Sequence, residues 1–236
     1  MKHNYPHRFW VRITGLACLA GLLYSSWPLG YMLNPSVSRS SLASALEALH
    51  QPYNWVFISG DVSSSLLILV ICWFMWQRYR EVHQRHFLVF VLLSLIIFSI
   101  GTIADTLLPE RCLPGAANCA SWQHNPLLLA HGIFSVLASF CLFLALLFIW
   151  WRTRTPLLSG LMVGYIVFGL LSLYEAVGPI QGNFSQHYYI TLCSLGMAFI
   201  PYGMYLSFRT GSPRSIRKEI QFLKLSWQIA LGMHRP

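Results

Sequence analysis

The sequence predicts an all-α fold: a polytopic membrane protein, a bundle of six transmembrane helices with a C-terminal amphipathic interfacial helix. Three observations carry that expectation. The chain is 56% hydrophobic and only 10% charged over 236 residues, whereas a soluble domain is about a quarter charged. Six nearly continuous apolar runs each reach the roughly 20 residues needed to cross hydrocarbon. Lysine and arginine fall between those runs and in the tail. The length suits one bundle, residues 1–208, followed by a tail, residues 209–236, with no separate soluble domain.

The runs lie near Ile13–Leu33, Trp55–Trp76, Phe87–Leu108, Pro126–Trp150, Pro156–Val177 and Tyr188–Phe208. Their apolarity is continuous and not alternating, which makes each one helical, since a helix satisfies its own backbone groups inside lipid. Trp55, Trp73, Trp76, Trp150 and Trp151 stand at run ends, where indole rings prefer the interface. The start, MKHNYPHRFWVR, resembles the charged part of a signal peptide, but no small-residue cleavage site follows, so the first span is expected to be retained.

Orientation follows from the basic residues. Fourteen lie on the side of the termini (Lys2, Arg8 and Arg12, the loops after spans two and four, and the tail) and two, Arg39 and Arg111, on the other. Both termini are therefore expected in the cytoplasm, and the protein in a bacterial inner membrane. The formal charge of +9 follows from this topology and implies no nucleic-acid partner. Five of seven acidic residues (Glu47, Asp61, Asp105, Glu110 and Glu175) gather on the outer side, a skew the positive-inside rule does not require.

Between the spans, the first outer loop, residues 34–54, contains SSLASALEALH, which fits a short surface helix with a serine cap. Asn183-Phe184-Ser185 matches a glycosylation triplet, a pattern common by chance. In the tail, Ile216, Ile220, Leu223, Trp227 and Leu231 follow helical spacing, with Arg217, Lys218 and Lys224 mostly elsewhere. That pattern predicts a basic helix lying on the anionic leaflet. No internal repeat is evident.

Cys112 and Cys119 share the loop after span three on the oxidising side, with Pro114 and Gly115 between them; a disulfide there would tie two spans together. No C-x-x-C motif points to redox catalysis. Cys18, Cys72, Cys141 and Cys193 lie in spans, where small apolar packing is the ordinary role.

The chemistry, if any, sits at the outer ends of the spans. At 1.5 Å per residue, Asp105 lies roughly 6 Å below Pro109, His131 roughly 7 Å below Pro126, Asp61 about 9 Å below Trp55, and Glu175 about 4 Å below Gly178. His124 precedes His131 by seven residues and shares its helical face. His187 stands at the mouth of span six, and Ser59, Ser63, Ser64 and Ser65 surround Asp61. Ionisable groups at hydrocarbon depth are costly unless they face protein, water or a ligand.

Three readings compete. The groups clamp helices to one another; they line a pocket for a lipid headgroup or other amphiphile; or they hold zinc and activate water for hydrolysis, with His131, Asp105 and Asp61 as the candidate ligands. No H-x-x-x-H, H-E-x-x-H or G-x-S-x-G spacing supports catalysis.

Gly101, Asp105 and Pro109 near the end of span three, with His131-Gly132 opening span four, resemble the pattern of a six-span bacterial family, domain of unknown function 998. The layout is more loosely similar to the Frag1/DRAM/Sfk1 group, which is associated with lipid organisation. The resemblance implies the fold and a lipid setting, and no activity. The cysteine loop is an addition to the family pattern. The expectation is accordingly a membrane protein handling a lipid or amphiphile near its outer face, with Asp61, Asp105, His131 and Glu175 lining the site and His124 and His187 at its mouth. A metal-dependent hydrolase using the same residues is the runner-up, and a purely structural protein the third. Membrane lipids are the expected partners, and a homo-oligomer or membrane-protein partner stays open.

Overall fold

The computed structural model describes residues 7–34, 46, 51–80, 85–108, 126–177 and 184–208. Their regular structure is helical throughout: α1 (His7–Tyr24), α2 (Trp27–Leu33), α3 (Asn54–Tyr79), α4 (Arg85–Thr106), α5 (Pro126–Thr153), α6 (Pro156–Val177) and α7 (Phe184–Phe208). With α1 and α2 taken together, six segments are long and apolar enough to cross a membrane. The expected all-α, six-span membrane architecture is the observed one. The loop helix at SSLASALEALH (Leu46 apart), the amphipathic tail, Cys112, Cys119 and His124 lie outside the described residues.

The neighbour relations make α7 the axis of the bundle. It packs on α1, α5 and α6, while α4 joins α3 to α5. The span at α7 is 72% buried, against 22% for that at α6. This explains why α7 reads as the more polar helix: its neighbours are protein, so Ser, Thr, Gly and Met suit it better than the Leu and Val that face lipid on α6. Gly21 shows how closely the axis is approached, since a Cβ there would lie 2.6 Å from the Ser194 carbonyl oxygen.

Trp10 near the start of α1 meets Tyr205 near the end of α7, with ring centroids 5.8 Å apart. The beginning of the first span and the end of the last therefore share one face of the bundle, and the opposite face is called the distal end here. Trp10 is fully buried and also packs on Tyr79 and Phe208, and the last two stack at 5.0 Å. The α5–α6 turn closes the same end. Arg154 adopts a left-handed φ of 50°, and its guanidinium lies 4.3 Å and 4.8 Å from the Trp150 and Trp151 rings.

The first span differs from its expected form. It starts at His7 and not Ile13, with Arg8 and Arg12 exposed in its first turns. It also breaks at Ser25-Ser26, and Pro28 then opens α2 in a first-turn position where its missing amide costs nothing. Gly60 of α3 lies against this break: a Cβ there would be 2.8 Å from the Leu23 carbonyl oxygen. Span six likewise begins at Phe184 and not Tyr188.

Candidate functional site

Asp105 ends α4 and His131 lies in the second turn of α5, so an antiparallel pairing of these two helices brings the residues level. His131 Nδ1 lies 2.9 Å from Asp105 Oδ1. It also donates to the Asp105 main-chain carbonyl at 3.2 Å. A carbonyl only accepts, so Nδ1 carries the hydrogen and Nε2 is the basic nitrogen of the neutral ring. The side chains are 9% and 19% exposed, and Asp105 Oδ1 is buried.

Tyr24, last in α1 before the break, packs beside α4. Its ring meets Phe98 of α4 at 5.9 Å. Phe98, Thr102 and Asp105 follow one another at helical spacing on α4, so one face of that helix turns toward Tyr24. Deeper in the bundle the buried hydroxyls of Ser65, Ser99 and Thr102 find no partner among the described residues. Each such group costs about 1–3 kcal/mol relative to a satisfied one.

The tyrosines extend this polar interior. Tyr189 donates to the Tyr165 hydroxyl at 2.8 Å, and Tyr165 donates to the Ser139 carbonyl at 2.7 Å. Sequence reasoning singled out none of these tyrosines, because an aromatic in an apolar run reads as core. The available signal was that a phenol in such a run needs a hydrogen-bond partner.

Two of the predicted site residues, Glu175 and His187, make contacts between helices. Glu175, at the end of α6, accepts the Ser185 amide at 3.2 Å and the Ser185 hydroxyl at 2.7 Å. An N-terminal helix amide has no partner inside its own helix, and an anion suits the positive end of the dipole. Glu175 thus fastens the start of α7. His187 is buried and bonds the Tyr31 hydroxyl at 2.9 Å, with the Trp27 ring 4.6 Å away. It therefore holds α2 against α7.

Among the described residues, no group of three or more His, Cys, Asp or Glu side chains is placed to hold a metal ion. The candidate ligands Asp61, Asp105 and His131 therefore do not form such a group.

Fold and site together define a multi-pass α-helical membrane protein with an internal polar cluster near one end. The chain belongs to the family described as "Protein of unknown function (DUF998)", whose model matches residues 8–208. No curated protein and no solved structure shows significant similarity.

Proposed function

We propose that this protein binds or handles a lipid or similar amphiphile at a polar site near the extracytoplasmic face of a bacterial inner membrane, with both termini cytoplasmic. The Asp105–His131 pair, 2.9 Å apart and partly exposed at the distal end, is the observation that carries this reading. A clamp between α4 and α5 is a poor explanation for it, because these two helices already form the most extensive contact in the bundle. A polar contact between membrane helices adds only about 0.6 kcal/mol on average, whereas an ionisable group at depth costs several. The pair is better suited to meeting a ligand. Asp105 accepts hydrogen bonds from a headgroup, and His131, fixed through Nδ1, holds or passes a proton at Nε2. The orientation rests on the fourteen-to-two distribution of basic residues.

The test is lipid extraction and mass spectrometry of purified protein beside Asp105→Asn and His131→Gln. Both variants keep helical content, and each retains at least tenfold less of the bound lipid. Unchanged lipid with a lowered melting temperature overturns the reading in favour of a helix clamp. Stoichiometric zinc in elemental analysis turns it toward the hydrolase.

A further inference from the structure

Two arginines close α5 at the end of the bundle where the first span begins. Arg152 stands in the last turn, and its guanidinium lies 5.2 Å over the Phe87 ring of α4. Arg154 follows in the turn to α6. It donates from Nε to the Trp151 carbonyl at 3.1 Å, with its guanidinium over the Trp150 and Trp151 rings. A basic residue near a helix C-terminus suits the dipole, and a residue at a left-handed φ, here 50°, commonly caps one. Lysine would meet the first need, and glycine or asparagine the second. Neither need calls for guanidinium groups laid over aromatic rings.

Below Arg152 the surface between α4 and α5 turns apolar in the order in which a phospholipid does. One turn deeper, Phe148 of α5 and Phe90 of α4 stack at 5.4 Å. Another turn deeper, the antiparallel register brings Leu144 level with Leu93. Phe90 and Leu93 are 53% and 49% exposed, so this lane faces lipid. Trp151, 68% exposed, stands at the level of the arginines, as suits an indole among headgroups.

We infer that this corner seats an anionic phospholipid of the leaflet at that end. Arg152 holds its phosphate, Arg154 adds charge from the adjoining turn, and an acyl chain lies along Phe148, Phe90 and Leu93. A guanidinium offers a phosphate two parallel N–H bonds. The ring contact holds the Arg152 side chain beforehand, so less freedom is lost on binding. Two positive charges favour a headgroup of net negative charge over one carrying its own ammonium, which they repel. The negative surface potential of a leaflet attracts any basic segment, and the lane gives that attraction one address. The corner lies at the opposite end from Asp105 and His131 and does not depend on the function proposed for them.

The experiment is native mass spectrometry of the full chain in a neutral detergent, titrated with phosphatidylglycerol and phosphatidylcholine of the same acyl chains. The wild type binds phosphatidylglycerol at least tenfold more tightly. Arg152→Gln with Arg154→Asn, which keeps a residue suited to the left-handed turn, removes at least tenfold of that affinity. Arg152→Gln alone, at an exposed position, removes at least threefold and carries the test should the turn variant unfold. Arg152→Lys, which keeps the charge, still loses affinity severalfold. Arg8→Gln with Arg12→Gln deletes the same charge from exposed positions of α1 and costs less than threefold. Equal losses in the two double variants overturn the site in favour of diffuse attraction by the whole basic end. Equal affinity of the wild type for the two lipids overturns it as well. So does loss of phosphatidylglycerol in Asp105→Asn with none in Arg152→Gln, which moves the bound lipid to the distal end.

Discussion

The two ends of the bundle are held by different forces. At the end shared by the start of α1 and the end of α7, large rings fill space: Trp10, Tyr79, Tyr205 and Phe208 pack with centroids 5.0–6.0 Å apart. Arg152 lies 5.2 Å over Phe87, and Arg154 covers two indoles. At the distal end polar contacts, Asp105 with His131, Glu175 with Ser185 and Tyr31 with His187, stand beside a smaller apolar cluster of Leu46, Phe57, Trp27 and Tyr31, around a helix that is broken. Dispersion summed over buried rings is large and has one solution, whereas isolated hydrogen bonds are weak and replaceable. Binding sites are commonly drawn from the less stable regions of a fold, which makes the distal half the place to test the proposed one.

The largest expected effect tests the aromatic end. Trp10→Ala removes a fully buried indole and should lower stability by about 3–5 kcal/mol. Thermal unfolding in detergent measures it. Lipid retained per folded molecule should not change. If lipid falls in step with stability, the two ends are not separable and the division drawn above fails.

Glu175→Gln comes next and probes the distal end away from the pair. It keeps the shape of the side chain but weakens its hold on the Ser185 amide and hydroxyl, which are 3.2 Å and 2.7 Å away. Loss of a helix N-terminal partner costs about 0.5–2 kcal/mol. Stability should drop within that range while lipid binding holds. A tenfold loss of lipid with unchanged stability would return Glu175 to the binding site, where its position in the sequence first placed it.

That contrast shows what was legible in the sequence. The spans were, because transfer of some 20 apolar side chains into lipid is a sum that does not depend on who packs on whom. The meeting of Asp105 with His131 was partly so: they flank one loop, and consecutive antiparallel helices bring the last turn of one beside the first turns of the next. The fates of Glu175 and His187 were not. Depth ranked them with Asp105, but their partners, Ser185 and Tyr31, are fixed by packing of α6 and α2 against α7. The break at Ser25-Ser26 was hidden for a different reason. Its residues are tolerated in a continuous helix, and only Pro28, suited to a first turn, hinted at a new start.

The smallest effect is expected for Tyr31→Phe. The change deletes one hydroxyl and its 2.9 Å bond to His187 while keeping the ring contact of 5.4 Å. Polar contacts between membrane helices average about 0.6 kcal/mol, with a maximum near 1.7, so the melting temperature should shift only slightly. Because α2 stands at the distal end, the more telling readout is the off-rate of bound lipid, followed by exchange against a labelled competitor. If α2 is held in place by His187, freeing it should quicken exchange severalfold with little change in stability. An unchanged off-rate would mean that α2 is fixed by Phe57 and Leu46, which pack against Gly30. The weak polar contact would then be incidental, and apolar packing would govern the distal end as it does the other.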